Sequence, residues 1–385
     1  MQAGRLRPDG LVVALILAIL ATAGFNCVLI MAAIVSGLID GLHIAAAAAG
    51  RISACDTYGM SVGAFVAVLL VRRVPWRPLC TTLLCLLIVL DLATTQIHDI
   101  APLMLIRAVH GTCGGLLIGI SYGIFARSTI PERCFGMLCV VQGCISGFGL
   151  MFLPRLVPVF GVPVLFVALA AFSALALALV PLLPAFRVEV SAATARGPLR
   201  PTLVLALLAI FFFQSGNSAP GAYIIELGRS AGLDLQFVTT AVGIAGWAGM
   251  AGAAMVIIVG ARFGRALPIA IATLAAALGT AAFHASTVPF VYVAANIATS
   301  ITWYVGVSYI LGLCATFDRT GRAAALGGLC SKLCYASGPF AASFLLGGGA
   351  VASYAAVIDL GVVLLCICAA LAITAAVKAD RARET

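Results

Sequence analysis

Residues 101–126 read APLMLIRAVHGTCGGLLIGISYGIFA: twenty-six positions with one formal charge, Arg107, and no polar run that could face water. A stretch of about 20 such residues is what a helix needs to cross the hydrocarbon of a bilayer. The same kind of run recurs along the whole chain. Counting outward, the pattern predicts spans at 11–36, 44–70, 78–97, 101–126, 133–160 and 162–184. A second set follows at 201–227, 234–260, 266–285, 288–315, 322–347 and 350–377. The runs are continuous and rich in Ala and Leu, so they are helices and not the alternating ten-residue strands of a membrane barrel. Of the 385 residues 63% are hydrophobic and only 9% charged, against roughly 25% charged in a soluble domain. A water-soluble chain of this length could not bury that much apolar surface.

The net charge of +9 raises the question of nucleic acid, and the placement of the charges answers it. With the N-terminus in the cytoplasm, seventeen basic residues fall in inner segments and only Arg229 in an outer loop. That asymmetry is a topology signal, and no basic patch interleaved with aromatics is present. It predicts both termini on the cytoplasmic side of a cell inner membrane and an even number of spans. The first run is too long for a cleavable signal and is expected to remain as a span. The segment 185–200 (AFRVEVSAATARGPLR) is the longest polar stretch and lies at the midpoint. The expected domains are therefore 1–184, a cytoplasmic linker at 185–200, and 201–385. Tyr58–Gly63 aligns with Trp247–Gly252 at an offset of 189, near half the length, as a duplicated fold predicts. The thirteen cysteines include no CxxC pair; Cys330 and Cys334 share a helix face and are read as packing thiols, with no metal expected.

On these residues the chain resembles the major facilitator superfamily. The fourth span carries Arg107, three residues, then Gly111 with Gly114 and Gly115, similar to the family's fourth-helix motif. Ala261-Arg262-Phe263-Gly264-Arg265 looks like its cytoplasmic Asp-Arg-x-Gly-Arg loop without the Asp. The equivalent loop after the second span keeps Arg72, Arg73 and Arg77 and loses both Asp and Gly. Gly143 and Gly147 in the fifth span lack the Pro that marks the drug–proton antiporter branch. The resemblance implies twelve helices in two pseudo-symmetric six-helix bundles that alternate access to a central site. It also implies a gating role for Arg73, Arg77, Arg262, Gly264 and Arg265.

Charges inside spans cost roughly 2.5–3.5 kcal/mol each at the helix centre and need a reason. Arg51, Asp56, Asp91, Arg107, Arg155, Lys332 and Asp359 are in this position. One reading is a basic, water-filled cavity in which Arg51, Arg107, Arg155 and Lys332 hold an anion. The other is ion pairing between helices, among Arg107, Arg51 and Asp56 and between Lys332 and Asp359. Asp56, His110 and Asp359 are candidate proton carriers, since burial shifts such groups toward the accessible range. The seventh span contains Gln214-Ser-Gly-Asn217-Ser-Ala-Pro220-Gly221, where Pro and Gly predict a broken helix that exposes Gln214 and Asn217. Asn26 in the first span is a milder equivalent. Asn296 and Trp303 share a face of the tenth span and complete the candidate substrate contacts, with ordinary packing as the competing account.

Function follows as an expectation: a secondary transporter of a small solute, a carboxylate or other organic anion, driven by a proton gradient without a bound cofactor. The expected surroundings are the lipid bilayer and a monomeric chain. Efflux of amphipathic drugs or metabolites is the alternative, and a receptor on the same scaffold a third. No nucleophile–base pair, zinc motif or phosphate loop suggests an enzyme.

Overall fold

In the computed structural model, residues 10–70, 75–125, 131–184, 201–260, 262–316, 322–346 and 351–384 are described. The expected linker 185–200 and Arg73 lie outside them. The described residues form helices α1 (Leu11–Leu29), α2 (Met31–Leu42), α3 (Ala46–Leu70), α4 (Trp76–Thr94), α5 (Ile100–Phe125), α6 (Pro131–Phe160) and α7 (Pro163–Leu179). The second set is α8 (Pro201–Ala222), α9 (Ile224–Ser230), α10 (Leu235–Val259), α11 (Ala266–Ala282), α12 (Pro289–Thr316), α13 (Arg322–Leu345) and α14 (Val351–Glu384). Among the described residues ten helices are long and apolar enough to cross a membrane. The protein is thus a multi-pass, all-helical membrane protein. Two further long helices, α3 and α13, carry Arg51, Asp56 and Lys332 through their middles, which lowers their apolarity. Large apolar side chains such as Leu105, Val159, Leu278 and Phe290 point outward at 69–78% exposure, as a lipid-facing surface requires.

Helix breaks fall later than the sequence suggests. Span one is continuous past Asn26 and is interrupted at Ile30, between α1 and α2. Span seven runs through Pro220 and is interrupted at Tyr223, between α8 and α9. A proline removes one intrahelical bond, and its ring crowds the carbonyl four residues back. Here that residue is Gly216, beside Gly361 of α14, so the helix tolerates the ring. It ends one turn later, where the Tyr223 amide bonds the Pro220 carbonyl.

The chain divides into two compact units. One holds Met1–His43 with Cys55–Ser191, the other Ile44–Ala54 with Ala192–Thr385. The expected boundary at the midpoint therefore misses an exchange: the first turns of α3 belong with the second unit. Gly50 lies there against the Tyr223 hydroxyl, an approach that any larger residue would block. The core of the first unit is built from α1, α4, α5 and α7 around Leu17, Leu84, Leu117 and Ala176. That of the second is built from α8, α11, α12 and α14 around Phe213, Ile269, Ile310 and Leu365.

Small residues set the helix spacing in both. Gly63 of α3 abuts the Thr112 carbonyl of α5, and Gly252 of α10 abuts the Ile301 carbonyl of α12. Both members of the second pair stand 189 positions after those of the first, so the internal repeat seen in the sequence is a repeated contact. One more approach positions the site. Gly111 of α5 presses directly on the Asp56 backbone carbonyl and leaves no room for a Cβ.

Gly111→Ala must push α3 and α5 apart and is expected to destabilise the protein by about 1–3 kcal/mol. Gly136, with open space around its Cα, should accept Ala without loss. Thermal unfolding of detergent-purified variants compares the two; equal midpoints would refute the close-packing account.

Candidate functional site

Two polar constellations stand inside the apolar units. The first gathers on Arg107, whose helix faces α1, α3 and α4. Its guanidinium Nη1 donates to Asp91 Oδ1 at 2.9 Å. Its Nη2 lies 2.9 Å from Asp56 Oδ1 and 3.0 Å from Cys27 Sγ. His110, one turn further along α5, places Nδ1 2.7 Å from Asp56 Oδ1 and Nε2 3.3 Å from Asp91 Oδ1. The Phe166 ring of α7 lies 5.4 Å from the guanidinium carbon and closes one side. The four ionisable side chains are at most 5% exposed. A guanidinium taken this far from water survives only with its charge matched and its hydrogens used. The two carboxylates on neighbouring helices do both.

This arrangement bears on the two readings of Arg107. It is an ion-paired residue, satisfied by Asp56 and Asp91, and not an open fork for an anion. The argument for an anionic substrate loses its strongest member. Asp91 was visible as a charge inside a span but had no assigned partner; Cys27 gave no signal beyond its position one residue after Asn26. Asn26 itself is buried, and its Oδ1 has no partner. Asp56 Oδ2 and Asp91 Oδ2 are likewise buried without one, so the cluster holds acceptor capacity in reserve.

The second constellation belongs to the other unit. Trp303 Nε1 of α12 donates to Gln214 Oε1 of α8 at 2.8 Å, and Gln214 Nε2 donates to Ser331 Oγ of α13 at 2.7 Å. One amide thus ties three helices. Trp303 packs edge-on against Tyr304 and Tyr335, with ring centroids 4.9 and 6.5 Å away. Lys332 follows Ser331 and is half-buried. Asn217 and Asn296 contribute less than expected: each spends its amide on the carbonyl four residues back, Phe213 and Tyr292 respectively.

Other expectations are placed elsewhere. Asp359 pairs not with Lys332 but with His284, at 2.9 Å in a largely exposed position. Arg155 rides over the Phe152 ring at 5.8 Å, and Arg51 falls in the segment of α3 that groups with the second unit. Arg77 donates to the Leu183 carbonyl and stacks on Trp76. In the loop Arg262–Arg265, Gly264 adopts φ of +69° and a bridge links it to Arg262. The carboxylate absent from this loop's sequence arrives from α14: Asp380 accepts from the backbone amides of Arg265 and Ala266 at 3.1 Å each and caps α11. No local pattern could have found it. Among the described residues no group of three or more His, Cys, Asp and Glu is placed to hold a metal ion.

No family model matches the sequence, and no curated protein matches it either. Solved structures do match. A nucleoside transporter, NupG, superposes with a TM-score of 0.72 at 13% identity, covering 93% of this chain and 98% of that one. A D-xylose-proton symporter gives 0.69 at 15% identity, covering 93% and 96%. The xylose transporter XylE from E. coli, in a partially occluded inward-open conformation, gives 0.69 at 15%, covering 92% and 96%. The chain shares the fold of these solved structures.

Removing Arg107 leaves two carboxylates facing each other in the dry interior. Arg107→Gln is expected to cost about 3–5 kcal/mol, and adding Asp91→Asn in the same chain should recover part of it. Unfolding midpoints of the single and double variants in detergent test this. A single variant as stable as the parent would show that the pairing carries no weight.

Proposed function

We propose that this protein is a secondary transporter that couples a proton gradient to the movement of a small, neutral, hydroxyl-rich ring solute, of the sugar or nucleoside class. The single observation that carries the reading is the dry Asp56–Arg107–Asp91–His110 cluster within a major facilitator fold. A permanent structural ion pair needs one acid and one base. This one has two carboxylates and a histidine around one guanidinium, a set that can take up and give back a proton. In this reading the first unit does the coupling.

The second unit supplies recognition. Gln214 and Trp303 offer an amide and an indole, neutral groups that bond hydroxyls and ring nitrogens, beside the aromatic faces of Tyr304 and Tyr335. Such faces suit a flat or puckered ring body. The structural neighbours are a nucleoside transporter and a D-xylose-proton symporter. An organic anion is the weaker candidate because Arg107 is already neutralised. The asymmetry of basic residues supports a cell inner membrane with both termini on the cytoplasmic side.

Purified protein in liposomes with an imposed alkaline interior should accumulate D-xylose or uridine and leave lactate outside. Gln214→Ala should raise KM about tenfold, the value of one lost hydrogen bond. Accumulation of lactate with no uptake of either neutral solute would overturn the assignment.

A further inference from the structure

The short contacts around His110 fix where hydrogens must lie. His110 Nδ1 and Asp56 Oδ1 are 2.7 Å apart, a separation that two bare lone pairs do not tolerate, so a hydrogen sits between them. His110 Nε2 lies 3.3 Å from Asp91 Oδ1, a charge contact and not a hydrogen bond. Arg107 Nη2 has two hydrogens but three neighbours: Asp56 Oδ1, Cys27 Sγ and His110 Nδ1, all within 3.0 Å. If Nδ1 were the lone-pair nitrogen, it would compete for Nη2 and still press bare on the Asp56 oxygen. If Nδ1 carries the hydrogen, Nη2 serves Asp56 and Cys27, and Nδ1–H serves Asp56. Both short contacts to Asp56 then have a hydrogen on them. The remaining cost is the approach of two cations, which carboxylates on both sides offset.

Charge leads to the same place. Two carboxylates against one guanidinium leave a net charge of minus one in a site at most 5% exposed. An imidazolium brings the sum to zero, and burying a neutral set is far cheaper than burying a net charge. His110 is faced by Asp56 from α3, Asp91 from α4 and Arg107 from its own helix, with Cys27 of α1 on the same guanidinium nitrogen. Among the described residues no other titratable side chain bonds to it.

We propose that His110 carries the coupled proton, one per transport cycle, and that the closed cluster is the loaded state; this rests on the transport reading above. The proton arrives from water on one side, forms an N–H bond on the imidazole, and leaves to water on the other; no other bond is made or broken. Once it leaves, the dry cluster holds an uncompensated negative charge and must be reached by water or by donors from a solute. The unpartnered Oδ2 atoms of Asp56 and Asp91 are where such donors attach. Coupling then follows from electrostatics: the site closes dry when His110 is charged.

The test begins without a solute. A chain carrying His43→Gln, His98→Gln and His284→Gln keeps His110 as its sole histidine. Labelled with 15N-histidine and followed by NMR between about pH 5 and 9, it should show an imidazolium with both nitrogens protonated that converts to the neutral ring in one step. A ring that stays neutral throughout, in protein that transports, overturns the proposal alone and leaves a carboxylate as carrier. In liposomes the proton-to-solute ratio, read from the reversal potential with D-xylose or uridine, should be one, and His110→Gln should reduce pH-driven accumulation at least tenfold. A ratio of two overturns the single-carrier account. Absence of pH-driven uptake by the parent chain overturns the carrier role together with the transport reading, and the solute-free NMR result tells the two failures apart.

Discussion

A guanidinium held in hydrocarbon surroundings dictates most of what is built around it. Arg107 cannot shed its charge under any ordinary condition, so the neighbouring helices have to supply compensation at close range. Asp56 on α3 and Asp91 on α4 do so at 2.9 Å each. That requirement fixes the rotation of both helices about their axes, since a carboxylate has little reach. It also fixes how near they must come, and Gly111 against the Asp56 carbonyl is the means. Packing by small residues and pairing of charges are therefore one device: neither the contact nor the ion pair could form without the other.

The two units use polarity differently. In the first, ionised groups are gathered where water is absent, and the oxygens left over face nothing. In the second, the buried link through Gln214 is neutral, and its donors and acceptors are matched along a single chain from Trp303 to Ser331. Neutral hydrogen bonds exchange for a solute's hydroxyls with little electrostatic penalty, whereas ionic ones do not. A division of labour between energy coupling and recognition is consistent with that difference in chemistry.

Much of the architecture was legible in the sequence because lipid leaves a coarse signature. Apolar runs, basic connections and an offset of 189 need no tertiary knowledge, and Arg107 stood out as a lone charge in such a run. What resisted reading was the rest of the partners. Asp56 stood among the alternatives for Arg107, but Asp91 and Cys27 come from two further helices, and periodicity within one helix says nothing about rotation against the next. Lys332 and Asp359 looked complementary by charge, yet Asp359 faces His284, since complementarity of sign does not specify which faces meet. The break expected at Pro220 came at Tyr223, because whether a proline interrupts a helix depends on what crowds the preceding turn. The first turns of α3 could not be assigned to the second unit from sequence, as nothing in Gly50 announces that a tyrosine from a distant segment will lie on it.

The Asp380 carboxylate, bonded to two amides 114 and 115 residues earlier in the chain, ties the last helix to the start of α11. Fusion tags, reporters and shortened expression versions are commonly joined at a carboxyl end on the assumption that it is inert. Here a cut before Asp380 would strip the cap from a helix deep in the same unit. Gly264, held at a backbone angle few other residues accept, would lose the carboxylate beside it. The design of any altered version should leave α14 whole through that position and add new sequence only after it.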